Sequence, residues 1–252
     1  MPDGKKLLRS IDSTNPDNEL IRQLIRNGAD VNICDENGDS LLQLCVMDDK
    51  YEIFALLMRA GANPHAVNKQ DNSTALHDIF MPEGNVNNEK TLMFRDLLCK
   101  NVSADAKFGK SGFTALHLAL LNDSSHSGYY VEQLLQYGAD YNIYDNSSLP
   151  RDALYLAVFY HRYQHMSMLL QAGADINRTD QSGHTMLHRC VTIGDCHQEI
   201  SILLRYGIDY NKRDNSDFTA HDLALYYVDD GTADFLTNSI QNMRDIYPMQ
   251  KG

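Results

Sequence analysis

The sequence predicts an all-α repeat solenoid of helix-turn-helix pairs joined by β-turn fingers. Three observations carry that reading. A phrase that ends a helix recurs along the chain, a phrase that starts a helix follows each copy about a dozen residues later, and both keep a near-constant period. The ending phrase reads Leu24-Ile-Arg-Asn-Gly-Ala-Asp-Val-Asn32, Leu134-Leu-Gln-Tyr-Gly-Ala-Asp-Tyr-Asn142, Leu169-Leu-Gln-Ala-Gly-Ala-Asp-Ile-Asn177 and Leu203-Leu-Arg-Tyr-Gly-Ile-Asp-Tyr-Asn211. A fifth copy runs from Leu56 to Pro64, and a worn sixth, with Asn101 in place of glycine, from Leu97 to Asp105. An apolar pair followed by glycine stops a helix in a left-handed cap that side chains with a Cβ adopt poorly.

Taken in order, the chain opens with two degenerate polar helices, Lys5–Ile11 and Asp17–Ile25, suited to an N-terminal cap. Helix starts follow at Ser40, Thr74, Thr114, Asp152, Thr185 and Thr219, each a residue whose side-chain oxygen can cap free backbone N–H groups. Asp35 to Gly38 and Asp180 to Gly183 have the Asp-x-x-Gly composition of tight turns. The glycine-equivalent positions Gly28, Gly61, Asn101, Gly138, Gly173 and Gly207 are spaced 33, 40, 37, 35 and 34 residues apart. The longer intervals predict inserted loops between paired helices near 81–88 and 122–128, which read either as drift in a surface turn or as a binding rim. The fingers at 108–113 and 145–150 are lengthened as well, and the second has lost its glycine. A closing helix is expected over Thr232–Ile246, stopped by Pro248. This gives seven helix pairs in one domain over 1–252, with a cap at 1–28, central repeats at 29–216 and a C-terminal cap repeat at 217–252.

Thr74-Ala-Leu-His77, Thr114-Ala-Leu-His117 and Thr185-Met-Leu-His188, set in this period, resemble the ankyrin-repeat family. The resemblance covers nearly the whole chain. It implies a domain without catalysis or cofactor that binds another protein through finger tips and the inner face of each first helix, a concave surface. Counting one residue before and seven to eight after the capping residue, that face holds Phe113, Leu121, Phe159, Tyr160, His184, Ile193, Phe218, Tyr226 and Tyr227, with Tyr144 and Arg213 on the flanking finger strands, so the partner is expected on repeats 3–6. Aromatic rings and arginine are common interface anchors, although several of these rings could instead pack between repeats. The first repeat offers Asp35, Glu36, Asp39, Asp48 and Asp49, which could steer a basic partner. The resemblance further implies that Asn32, Asn142, Asn177 and Asn211, each eight residues after a leucine, are similar to substrates of the asparaginyl hydroxylase called factor inhibiting hypoxia-inducible factor. The other reading of those asparagines is a hydrogen bond within their own turn.

Composition narrows the function. The hydrophobic fraction of 43% allows a packed core, and the net charge of −12 opposes a sequence-independent grip on nucleic-acid phosphates. No signal peptide or membrane span is expected, and five scattered cysteines read as free thiols of a reducing compartment, the cytoplasm or nucleus. Without a secretory route the five Asn-x-Ser/Thr triplets carry no meaning. A monomer is expected. Gly109-Lys-Ser111 lacks the first glycine of a phosphate-binding loop, where Ala104 stands. His161 with His165 and His184 with His188 have the spacing of one helical face, but neither pair carries the glutamate of a metalloprotease. Cys190, Cys196 and His197 could be called half a zinc site, but the Cys-x5-Cys spacing matches no standard arrangement and reads as a buried thiol followed by a loop thiol, so no metal is expected; a metal-dependent site in the His161/His165 and Cys190/Cys196/His197 region is the rival reading. The sequence leaves open an adaptor or inhibitor, a host-directed effector of an intracellular organism, and the recognition part of a larger enzyme.

Overall fold

The computed structural model describes residues 2–13, 16–81, 86–122, 124, 126–147, 151–227 and 230–246. Parts of both expected inserts (82–85, 123 and 125), the end of the lengthened finger (148–150) and the Pro248 stop lie outside these residues. The chain divides into two compact units, Met1–Pro150 and Arg151–Gly252. Each is a run of antiparallel helix pairs. The first holds α1 (Pro2–Ile11), α2 (Asn18–Arg26), α3 (Leu41–Met47), α4 (Tyr51–Arg59), α5 (Ala75–Asp78), α6 (Asn88–Cys99), α7 (Ala115–Leu121) and α8 (Ser127–Gln136). The second holds α9 (Ala153–Phe159), α10 (Tyr163–Gln171), α11 (Met186–Ile193), α12 (His197–Arg205), α13 (Ala220–Tyr226) and α14 (Asp230–Ile246). Odd-numbered helices pack side by side, α1 on α3 on α5 on α7 in the first unit and α9 on α11 on α13 in the second. Helices α2, α4 and α6 form a second row, as do α10, α12 and α14. Among the described residues β pairing is limited to isolated bridges, Cys34 with Ser40 and Phe108 with Phe113.

The helix starts follow the capping chemistry. Ser40, Thr74, Thr114 and Thr185 are N-caps of α3, α5, α7 and α11, and each shares a capping box with the residue three further on: Gln43, His77, His117 and His188. Asp152 caps α9 by accepting from the Tyr155 N–H at 2.8 Å, and Thr219 caps α13 with Asp222. The helix ends are equally local in origin. In each case the residue after the left-handed position donates its N–H back to the buried leucine's carbonyl: Ala29 to Leu24 (3.0 Å), Ala62 to Leu57 (2.9 Å), Val102 to Leu97 (3.3 Å), Ala139 to Leu134 (2.9 Å), Ala174 to Leu169 (3.0 Å) and Ile208 to Leu203 (3.1 Å). Asn101 holds φ 54°, so it occupies the glycine conformation in the worn copy, as asparagine can at modest strain.

The capping histidines also tie finger to finger. The Thr74 N–H donates to His77 Nδ1 (3.2 Å), which leaves Nε2–H to donate to the Ala106 carbonyl of the next finger (2.9 Å). His188 repeats this with Thr185 (3.2 Å) and the Phe218 carbonyl (3.0 Å). Burial holds both imidazoles below the ordinary histidine range, which keeps them neutral. Fingers also touch through their backbones, Gly109 N–H to the Asp71 carbonyl (2.7 Å) and Asn215 N–H to the Ser182 carbonyl (3.0 Å). Gly183 shows how close that approach is, because a Cβ there would lie 2.6 Å from Asn215 Oδ1, and its φ is +78°.

Two of the finger-loop asparagines, Asn32 and Asn177, bond between turns. The turns around Asn32 and Asn177 are closed by Asp30 and Asp175, whose carboxylates accept the asparagine N–H groups (2.9 and 3.0 Å). The asparagine side chains reach the next repeat, Asn32 Oδ1 accepting from the Asn63 N–H and Asn177 Oδ1 from the Asp209 N–H, both at 2.7 Å. For Asn32 and Asn177, then, the reading of a side-chain bond within the turn gives way to one with the next repeat, because the aspartate two residues earlier already satisfies the turn's donor.

Candidate functional site

The capping register decides which side chains reach the surface. In the second unit α9, α11 and α13 are neighbours of equal register, so their C-terminal ends line up. Phe159 and Tyr160 end α9, each 41% exposed, with ring centroids 5.2 Å apart and edge to face. Ile193 ends α11 half-buried. Tyr226 and Tyr227 end α13, 68% and 59% exposed, with Tyr226 leaning on the half-buried Phe218 ring at 5.7 Å. Leu225 beside them is 53% exposed, a surface residue that counting from the cap missed because it lies one residue short of the counted positions. The other second-unit residues serve the scaffold as well. His184 is half-buried, donates from Nε2 to Asp214 Oδ2 (3.1 Å) and stacks on His188 at 5.5 Å, linking two fingers. Arg213 is exposed and faces the carboxylates of Asp217 and Asp222, both at 3.7 Å.

In the first unit Phe113 is half-buried and stacked on His117 at 5.7 Å, Leu121 is half-buried at the end of α7, and Tyr144 is half-buried on its finger. The Tyr144 carbonyl accepts from Lys107 Nζ at 2.7 Å. The acidic set of the first repeat has structural duties. Asp35 Oδ1 accepts the Asn37 and Asp39 N–H groups (2.9 and 2.8 Å), Asp39 accepts from Asn68 (2.7 Å), and Asp48 pairs with Lys50 (2.5 Å). Glu36 is exposed on the finger. A dent of about 150 Å³ lies between Leu98, Val102 and Tyr137. That is below the roughly 300–1,000 Å³ of small-molecule pockets, so the shape at this point suits a surface contact rather than an enclosed ligand.

The groups considered for metal chemistry are arranged differently from their sequence spacing. His161 is not on a helix with His165: it sits in the turn before α10 at φ 54°, while His165 is buried within α10. His184 likewise lies on a finger ahead of the α11 cap, apart from the helix that carries His188. Cys196 lies, as expected, in the short loop 194–196 before α12, where it is the N-cap residue, and it is itself buried, 2% exposed. The described residues bring His161 and Cys196 together with Glu199, their ligand atoms all within 4.8 Å of one another. Glu199 was not singled out in the sequence, though its place gave a signal. It stands eight residues before Gly207, where the equivalent residues before Gly61, Gly138 and Gly173 are the buried Ile53, Tyr130 and His165, none of them a carboxylate.

Comparison with known proteins agrees with the architecture. A family model described as ankyrin repeats in three copies matches residues 10–93, 50–145 and 85–180. Protein glp-1 of Caenorhabditis elegans is 30% identical over 177 residues, 66% of this chain and 13% of that protein. The putative ankyrin repeat protein FPV031 of fowlpox virus is 28% identical over 130 residues, 51% of this chain and 36% of that protein. The chain thus spans little more than a third, or less, of these relatives. The solved ankyrin repeat domain of Bcl-3, a member of the IkappaB protein family, superposes with a TM-score of 0.69 at 23% identity, covering 89% of this chain and 93% of that one. No helix among the described residues is long and apolar enough to cross a membrane.

Proposed function

The chain belongs to the ankyrin-repeat family, and on that premise we propose that it is a non-catalytic recognition module, an adaptor or inhibitor, that binds a partner protein through its finger tips and first-helix ends. The observation that carries this reading is the alignment of exposed rings at equal register in the second unit: Phe159 and Tyr160 on α9, Tyr226 and Tyr227 on α13. A large ring in water leaves apolar area unburied, and aromatic side chains are over-represented among the residues that dominate binding energies. Within the second unit Ile193 and Phe218 lie half-buried beside these rings and would widen the contact, while His184 and Arg213, already engaged within the scaffold, would line its edge; Phe113, Leu121 and Tyr144, half-buried in the first unit, would be partner contacts of that unit. The net charge of −12 favours a basic or neutral protein over a nucleic acid, and five unpaired cysteines suit the reducing interior of a cell. The module would act as a monomer.

The test is a comparison of variants. Phe159→Ala with Tyr160→Ala should leave the melting curve nearly unchanged, since both rings are already 41% exposed, and should weaken capture of the partner by more than about 2 kcal/mol, or about thirtyfold. Affinity capture from lysate with wild type and the double variant in parallel identifies the partner and measures the loss. Equal capture by both would reject this face, and an unfolded double variant would assign the rings to the core.

A further inference from the structure

We propose that His161, Cys196 and Glu199 form a binding site for a zinc-like divalent transition-metal ion. The argument begins with Glu199, whose side chain is fully buried in α12 at a position held by Leu20, Ile53, Met93, Tyr130 and His165 in the other repeats, none of them a carboxylate. A buried carboxylate is costly unless its oxygens are paired. One of them is: Oε1 accepts from His161 Nδ1 at 2.6 Å. The other, Oε2, is buried with no hydrogen-bond partner. A cation is the group that would complete this carboxylate, and the atoms around it are of the right kind.

The Cys196 thiol, 2% exposed, lies in the same cluster, with the three ligand atoms all within 4.8 Å of one another. One imidazole nitrogen, one sulfur and one carboxylate oxygen form a zinc donor set. Magnesium and calcium prefer oxygen alone. Three protein ligands leave a fourth tetrahedral position for water or an outside ligand, and the His161 side chain, 42% exposed, opens the cluster to solvent on one side. Binding would release the Cys196 proton to solvent as the thiolate takes the metal. Cys190, six residues earlier on α11, is fully buried. The two histidines nearest these ligands in sequence are engaged elsewhere. His197 packs on Phe235 with centroids 4.4 Å apart, and His165 is buried inside α10. The site therefore draws on a turn of one repeat and the second helix of the next, all within the second unit.

The experiment uses the purified chain stripped with chelator and titrated with Zn²⁺ against a chromophoric competitor, with Co²⁺ as an optical probe. The expected result is one tight Zn²⁺ per chain, a rise in melting temperature on adding it, and a tetrahedral Co²⁺ spectrum with a thiolate charge-transfer band. Cys196→Ser should remove that band, while Cys190→Ser should keep it. His161→Asn and Glu199→Gln should each weaken Zn²⁺ at least about 10–100-fold, since even outer-shell changes have effects of that size. Glu199→Gln keeps the shape of the side chain, so it still decides the matter should Cys196→Ser fail to fold. If wild type takes up no Zn²⁺, the cluster is only a hydrogen-bonded His161–Glu199 pair beside a buried thiol and the proposal is wrong. If Cys196→Ser with Glu199→Gln binds as well as wild type, the metal sits on other side chains and the proposal is equally wrong. Neither result touches the partner-binding face, because metal uptake is read without a partner.

Discussion

Asp78, the last residue of α5, is a carboxyl group with an unfavourable burial, and replacing it should make the protein more stable at neutral pH. The side chain is 8% exposed and its Oδ2 is buried without a hydrogen bond. Burial pushes its pKa from 3.8 up to about 7; contact with Gln43 opposes the rise, Asp39 and Asp71 add to it, and Lys90 lowers it. The native state therefore holds this proton more tightly than the unfolded chain. Its contribution is fully favourable below 3.8 and is lost as pH rises through about 7, beyond which the whole penalty applies. At about 1.4 kcal/mol for each tenfold change in affinity, that penalty is on the order of 2–4 kcal/mol. Asp78→Asn removes the charge and can keep the Gln43 contact, but its amide N–H groups fall where Oδ2 has no partner, at a cost of about 1–2 kcal/mol. The variant should be destabilised by about that amount near pH 4 and more stable than wild type by roughly 2 kcal/mol near pH 8. Urea denaturation of both proteins across this range measures the difference directly. A stability difference that does not change with pH would refute the reasoning, because it would mean that Asp78 is ionised in the native state throughout.

The histidine ladder predicts an opposite trend at lower pH. His77 and His188 are held neutral by burial, so protonation favours the unfolded chain and stability should fall as pH drops below about 6.5. Gln43 already occupies this place in the first full repeat, its Oε1 accepting from the Ser40 N–H (3.1 Å) and its amide donating to Ser73 Oγ (3.1 Å). His77→Gln should therefore preserve the fold and flatten the acid limb of a thermal melt series; an unchanged acid limb would discharge His77 from that role. In the core, Leu169→Ala and Leu203→Ala each remove a fully buried side chain and should lower stability by about 2–5 kcal/mol in chemical denaturation. A loss below about half a kcal/mol would contradict the repeat register.

The parts of this molecule that could be read from sequence are those whose causes are local. A left-handed helix end needs glycine or asparagine, and a helix start needs a capping oxygen, so Gly28 and Thr74 announce their roles with only a few neighbours present. Even the worn copy at Asn101 kept the conformation when it lost the glycine. Surface placement is harder, because it depends on what the adjacent repeat lays over a side chain. His184, one residue before a capping threonine, and Phe159, seven after a capping aspartate, are both expected on the exposed face, yet one reaches Asp214 of the next finger and the other reaches solvent.

The His161, Cys196 and Glu199 cluster shows where pattern reading can be extended. A search along the chain pairs histidines at helical spacing, and in a repeat protein that is the wrong distance, since neighbours across an interface lie about one period apart. His161 and Glu199 are separated by 38 residues. The departure was visible in the repeat itself, as a carboxylate eight residues before a closing glycine where the other repeats hold Leu20, Ile53, Met93, Tyr130 and His165. Burial forces such a residue to find a partner. The partner must then come from the turn one repeat earlier, which is where His161 stands. Aligning repeats by their helix-ending glycines and asking which buried columns hold a charge is thus a physical criterion for candidate sites, one that reaches across the period where motif spacing does not.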